Sequence, residues 1–269
     1  MFSSEGDELF FSVVIPCFNA EQHIAGTLES VLRQTYVDFE VLLIDDASTD
    51  RTVNIADAYA QRDSRIRIMR SERRSGGPAT PRNKGMAESR GDYIAFLDAD
   101  DIWGTEKLLN DAQFLKIRPV DVLFSGTYYF RSDIKNIVYV QSPKPLTRAF
   151  LFRNSVPILT VCVRRELLSS GRLWFDPDPL LDAISDYHFL LHAYLAGVEI
   201  TCRPGIDAYY RMDPPSSISK RHDFALVVRR LVYNLSKTAH EHSIPLPTFL
   251  SALAASVAFF YLKRLIGRM

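Results

Sequence analysis

Four short apolar runs, separated by stretches of helical length, constrain this 269-residue chain more than any other feature. They are Phe11 to Ile15, Phe39 to Ile44, Ile66 to Met69 and Tyr93 to Leu97. Within the second, Val41-Leu42-Leu43-Ile44 is apolar on both faces, as in a parallel sheet covered on both sides. Between the first two runs, Ile24, Leu28, Val31 and Leu32 fall at i, i+4, i+7 and i+8, one face of a helix. Asn19 with Gln22 three residues later reads as its start. Thr52 to Ala60 reads as a second helix, with Val53, Ala56 and Ala60 on one side. Strands alternating with helices in this way predict right-handed βαβ units, hence an α/β fold with a mostly parallel central sheet and helices on both faces.

Ligands of such sheets sit beyond the carboxyl ends of the strands. The residues found there are Pro16-Cys17-Phe18-Asn19, then Asp45-Asp46, then the Gly-, Arg- and Ser-rich stretch Ser71 to Arg82, then Asp98-Ala99-Asp100-Asp101. Two acidic edges and one glycine-rich basic loop at a common rim describe a site. Asp98 and Asp100, one residue apart at a strand end, can converge on one divalent cation, and Mg²⁺ and Mn²⁺ prefer such hard oxygen ligands. With Asp101, three carboxylates fall within four residues, and they repel unless a cation or strong donors offset them. Asp45-Asp46 precedes Ser48, Thr49 and Asp50. Those three suit a helix cap, whereas a carboxylate at 45 or 46 can accept a hydrogen bond from a nucleobase N–H or a ribose hydroxyl.

Lys plus Arg and Asp plus Glu both number 32, so no net positive charge points to nucleic-acid binding. Cys17, Cys162 and Cys202 lie far apart and mostly in apolar runs, which excludes a CxxC metal knuckle and favours buried thiols in a reducing compartment. The N-terminus lacks the basic-then-apolar pattern of a signal peptide, so a cytoplasmic location is expected. Beyond residue 120 the pattern loosens. Val120 to Phe124, Ile137 to Val140, Leu159 to Val163, Val198 to Cys202 and Ile206 to Tyr210 read as strands. Asp186 to Ala196, Asp223 to His242 and Thr248 to Ile266 read as helices. Ser243 to Leu262 carries no charge, but prolines and hydroxyl residues interrupt it. The expectations for it are a packed or partner-facing helix, a helix lying on a membrane surface, or, least favoured, a span.

The ordered motifs Val13-Val14-Ile15-Pro16-Cys17-Phe18-Asn19, Gln34-Thr35-Tyr36, Phe39 through Asp50, Pro81-Arg82-Asn83-Lys84-Gly85 and Gly91 through Asp101 resemble the family 2 glycosyltransferases of GT-A fold. The resemblance covers about the first 105 residues and is fainter beyond residue 120. It implies a GT-A domain over 1–222, with a nucleotide-binding half at about 10–120 and an acceptor half at about 121–222, followed by a helical extension at 223–269. It further implies a nucleotide-sugar donor, usually a UDP-sugar, and transfer with inversion to a glycan or lipid-linked hydroxyl in polysaccharide or lipopolysaccharide biosynthesis. By resemblance, Pro16 and Phe18 line the base pocket and Asp46 or Asp45 bonds the base. Arg82 approaches the base or diphosphate. Asp98 sits near ribose and cation, and Asp100 is the main ligand of Mn²⁺ or Mg²⁺, as in a DXD motif.

Inversion in one displacement needs a base for the acceptor hydroxyl. The resemblance places it at the start of a helix in the second half, where Ser185-Asp186-Tyr187 offers Asp186. Serine stands at 185 where the family often has glutamate, and Asp182 is the fallback. The alternative for Asp186 is a helix-dipole partner. His188 and His192, four apart on that helix, read as packing or polar-edge residues because no third ligand of matching spacing exists. Tyr209-Tyr210-Arg211, followed by Ser216 to His222, resembles the family's late loop, in which Arg211, Lys220, Arg221 or His222 helps neutralise the diphosphate. Two other readings compete: a sugar nucleotidyltransferase, which would carry a Gly-rich phosphate loop after the first strand, and a catalytically silent binding module. The C-terminal helix with its cationic end also suits peripheral contact with the inner face of the plasma membrane.

Overall fold

The alternation of apolar strands and helices produces two packed layers on one sheet. The computed structural model describes residues 8–147, 154–169, 173–212 and 224–245, together with 247, 248, 251 and 254. Strands β1 (Phe11–Cys17), β2 (Phe39–Asp45), β3 (Ile66–Arg70) and β4 (Tyr93–Phe96) pair in parallel in the order β3-β2-β1-β4. Val13, Ile15, Val41, Leu43, Ala95 and Leu97 face one layer, with α1 (Ile24–Leu32), α2 (Thr52–Ala60) and α4 (Lys107–Ile117). Val14, Leu42, Ile44, Ile94 and Phe96 face the other, with α3 (Ala79–Glu88), the short α5 (Glu166–Ser169) and α6 (Ser185–Leu195). Both faces are covered, which is why these strands read as unbroken apolar runs. Helix α3 lies so close to the sheet that a Cβ on Gly85 would stand 2.5 Å from Val14 Cγ1.

Beyond β4 the sheet becomes mixed. The order continues β4-β8-β6-β9-β5, with β5 at Ile102–Trp103, β6 at Val122–Arg131, β8 at Cys162–Arg164 and β9 at Ile200–Arg211. β8 runs antiparallel to both β4 and β6, β9 is parallel to β6, and β5 is antiparallel to β9. β7 (Asp133–Gln141) adds an antiparallel edge to β6. The predominance of parallel pairing therefore holds for the first half only.

Three further expectations are corrected. The first helix begins at Ile24, because Asn19 takes a left-handed turn at φ 48°. Part of the loop from Ser71 to Arg82 is the first turn of α3. The two late strands are one, β9. Its ladder to β6 jumps from Phe124↔Cys202 to Gly126↔Ile206, so Arg203-Pro204-Gly205 bulges out, with Gly205 at φ 98°. Helix α7 (Phe224–Glu241) packs on α6 beyond the sheet. The segments Ser216 to His222 and, apart from three residues, Thr248 to Ile266 lie outside the described residues. Among the described residues no helix is long and apolar enough to cross a membrane.

Candidate active site at the carboxyl rim of the sheet

The carboxyl ends of β1 and β2 are locked together by side chains that accept backbone donors. The Asn19 N–H bonds Ser48 Oγ (3.0 Å), and Asn19 Oδ1 accepts the Thr49 N–H (2.9 Å). Asp50 Oδ1 accepts the Thr52 N–H at the start of α2 (2.9 Å) and Asp50 Oδ2 that of Glu21 (3.1 Å). Asp45 accepts the Ser48 N–H on both oxygens (3.3 and 3.2 Å) and lies 3.8 Å from Cys17 Sγ. Asp46 accepts the Ser75 N–H on both oxygens (2.9 and 3.1 Å), which pins the loop after β3. Arg74 in that loop lies over the Phe18 ring, its Cζ 3.9 Å from the ring centroid. Next to it, Gly77 packs against Asp182, where a Cβ would fall 1.7 Å from Oδ1. A side chain at 77 would push Asp182 away.

The acidic turn after β4 carries Asp98, Asp100 and Asp101. Arg82, in the first turn of α3, donates from Nη2 to Asp98 Oδ1 at 2.6 Å, and its guanidinium lies 5.1 Å from the Phe175 ring centroid. Asp101 is buried. Its Oδ1 accepts the Arg211 N–H (2.8 Å), while Oδ2 has no partner. The Arg211 Nε donates to the Asp100 carbonyl (2.8 Å), and its guanidinium covers Phe130 at 4.6 Å. Burial, then the charge of Asp98, pushes the Asp100 carboxyl up to about 6. Burial, then Asp100 and Asp98, pushes Asp101 well above the usual range. Two carboxyls raised in this way, one with an orphaned buried oxygen, make a hard-oxygen set that fits a divalent cation of the Mg²⁺ or Mn²⁺ kind.

Asp186 comes to the same cluster from the other half of the chain. It stands in the first turn of α6, where Oδ1 accepts its neighbour's N–H at Tyr187 (2.8 Å) and Oδ2 accepts from Asn154 Nδ2 (3.0 Å). Burial raises its carboxyl, Arg82 opposes that and Asp98 adds to it, so Arg82 acts on both carboxylates. The Tyr210 phenol is pushed up by burial and then by Asp101, Asp100, Asp98 and Asp186 together. That phenol therefore feels the charge of both the acidic turn and Asp186.

The structure thus gathers Asp98, Asp100, Arg82, Arg211 and Asp186, and sets Phe18 at the adjoining loop. It does not bring Pro16 or Asp45 to an open surface. Pro16 is buried in β1 opposite Ile44, and Asp45 is turned inward onto Ser48 and Cys17. Asp182 packs over Gly77, and Lys220, Arg221 and His222 lie outside the described residues. Arg74, Asn154 and His23 enter the site unforeseen, and Tyr210 enters it from the late segment that carried Arg211. His23 is held below its usual value by burial and then by Arg211. Only Arg74 and Tyr210 had a signal, as neighbours of motif segments; Asn154 sits in an irregular stretch with none.

Comparison with known proteins gives the family and the fold. The sequence profile of Glycosyl transferase family 2 matches residues 12–164, more than half of the chain. TuaG of Bacillus subtilis (strain 168), named as a teichuronic acid biosynthesis glycosyltransferase, is 35% identical over 157 residues, 58% of this chain and 62% of its own. WfaP of Escherichia coli is named a UDP-Glc:α-D-GlcNAc-diphosphoundecaprenol β-1,3-glucosyltransferase. It is 28% identical over 233 residues, 87% of this chain and 89% of its own. The crystal structure of Staphylococcus aureus TarS 1–349 in complex with UDP-GlcNAc shares the fold at a TM-score of 0.69 and 23% identity, over 93% of this chain and 72% of that one. The chain spans about two fifths to three fifths of the length of the first four curated relatives it matches. With the profile running from β1 through β8 and over the acidic turn and Arg82, the chain belongs to glycosyl transferase family 2.

Proposed function

We propose that this chain moves a sugar from a nucleotide-sugar donor, of the UDP class, to a hydroxyl of a glycan or lipid-linked glycan in surface-polysaccharide assembly. The carrying observation is the convergence of Asp98, Asp100 and Asp101 with Asp186 around Arg82 and Arg211. The names of WfaP and TuaG support the donor and the setting. In this reading residues at about 10–120 serve the donor and residues at about 121–222 the acceptor.

Phe18 and Arg74 would flank the base, since a planar ring and a guanidinium both stack on nucleobases. Asp98 and Asp100, with Asp101 behind them, would hold Mn²⁺ or Mg²⁺, whose chemistry when bound is to offset charge on the diphosphate. Arg211, anchored through its backbone to Asp101, would present its guanidinium edge to the same phosphates. Asp186 would accept the acceptor hydroxyl's proton as the new bond forms at the anomeric carbon and the sugar–phosphate bond breaks, releasing the nucleoside diphosphate. The raised carboxyl of Asp186 suits that task, because a base works best with a pKa nearer the working pH. Asn154 and the Tyr187 N–H would hold it in place. Peripheral membrane contact would run through residues after Ser243, bringing the chain to a lipid-linked acceptor.

The test is UDP release with UDP-Glc and UDP-GlcNAc, with and without Mn²⁺, for wild type, Asp100→Asn and Asp186→Asn. Metal-stimulated turnover lost in both variants supports the assignment. Equal rates in all three would overturn it, and UDP binding without turnover on any acceptor would leave a binding module instead.

A further inference from the structure

We propose that His192, Glu241 and His242 form a binding site for one divalent transition-metal ion of the Zn²⁺ class, which clasps the end of α7 to α6. The three residues lie away from the carboxyl rim, and the transfer reaction has no use for them. His192 Nδ1 stands 3.0 Å from His242 Nε2 and 3.6 Å from Glu241 Oε2, and the three ligand atoms lie within 4.8 Å of one another. Two imidazole nitrogens and one carboxylate oxygen are a set that Zn²⁺ accepts, with water in the fourth position. Around a tetrahedral ion with bonds of about 2.0–2.1 Å, two imidazole nitrogens stand about 3.3 Å apart. The rings need to open by only a few tenths of an ångström.

The backbone presents these ligands. Ser243 takes φ 51°, its N–H meets the His240 carbonyl (3.4 Å), and the Ile244 N–H meets that of Ala239 (2.9 Å). That is a Schellman cap, and it fixes Glu241 and His242 as the last two residues before the turn. A cation here also lies at the negative end of the α7 dipole. His188, one turn earlier on α6, is committed to Asn234 (2.6 Å) and Asp176 (3.7 Å). Half-exposed Trp174 stands beside His192, with ring centroids 6.0 Å apart. The competing arrangement is a proton shared between the two imidazoles without an ion.

The experiment uses the full chain without an affinity tag, stripped with a chelator and kept in excess Mg²⁺ to occupy the carboxyl rim. Calorimetric titration with Zn²⁺ should give one ion per chain, and Co²⁺ should give the visible absorption of a tetrahedral site. Saturating Zn²⁺ should raise Tm by about a few degrees. His192→Ala and His242→Ala should each weaken binding by about tenfold or more, Glu241→Gln should weaken it less, and Asp100→Asn should leave it unchanged. If His192→Ala does not fold, His242→Ala and Glu241→Gln at the helix end carry the test. No Zn²⁺ bound, unchanged affinity in His242→Ala, or binding lost in Asp100→Asn would each overturn the proposal.

Discussion

The two halves of the sheet are held together differently. In β3-β2-β1-β4 the interior is mostly apolar: Val13, Val14, Ile15 and Val41 to Ile44 are fully buried, Glu40 bonds Ser12 and Arg67 at the amino edge, and pairs such as Arg33–Glu29 and Arg51–Glu21 lie at the surface. Around β9 the interior is charged. Lys107 Nζ bonds Asp111 Oδ2 (2.6 Å) and lies 4.5 Å from the Trp103 ring centroid, and Arg203 bridges Asp111 (2.5 Å) and Asp207. Ser125 and Asn110 also donate to Asp207 (both 3.1 Å). These four buried charges sum to zero, as buried charges must nearly do. They tie α4 to β9, and β9 carries Arg211 to the acidic turn. The first half therefore supplies a rigid rim, and the second half aims cationic and basic groups at it through polar bonds. Geometry in the second half depends on charge pairing, whereas in the first it depends on packing.

The largest expected effect tests where those halves meet. Asp186→Asn should lower transfer by about a hundredfold to ten-thousandfold while leaving UDP affinity near wild type. In wild type the rate should fall as pH drops through the Asp186 pKa, which burial lifts above the ordinary carboxylate range. An acid limb unchanged in Asp186→Asn would assign the base elsewhere. Next, Asp111→Ala should cost about 3–5 kcal/mol by stranding Lys107 and Arg203, read by denaturant titration. Leu43→Ala in the packed half should cost a similar amount, about 2–5 kcal/mol. The two should differ in nucleotide binding per folded molecule: weakened in Asp111→Ala, intact in Leu43→Ala. Equal binding in both would mean the polar core does not aim Arg211.

A smaller effect concerns the acidic turn. The Asp100 carboxyl is raised in the folded state to about 6, so the folded chain binds the extra proton between the ordinary carboxylate value and about 6. Stability should therefore fall as pH rises through that window and stay lower above it. Asp100→Asn should remove that loss, about 1–3 kcal/mol, and Mn²⁺ should reduce it in wild type. Thermal melts across pH 4 to 7 check it. The smallest effect is at the surface: Arg33→Ala should change stability by under about 0.5 kcal/mol, because its pair with Glu29 is solvated.

Much of the first half was legible before folding. Unbroken apolar strands have one solution, burial on both faces, and the residues after them must gather at one rim. Asp98, Asp100 and Arg82 could be picked on that logic and on resemblance. The turn at Asn19 was missed because a left-handed residue other than glycine leaves little trace in a sequence. Asp45 and Asp46 were indistinguishable as neighbours, yet only the folded chain shows Asp45 turned onto Ser48 and Cys17 and Asp46 tied to Ser75.

The chain's own order of residues determined the α/β architecture, the parallel first half and the acidic rim, because local periodicity and side-chain polarity act over a few neighbours. Tertiary structure alone decided the rest: that β9 is one bulged strand, that Asn154 and Asp186 share a bond, that Lys107 and Arg203 lie buried, and that α7 delivers Glu241 and His242 to His192. The bonds from Asn154 to Asp186, His242 to His192 and Arg203 to Asp111 join residues 32, 50 and 92 positions apart, farther than any local pattern in the sequence reaches.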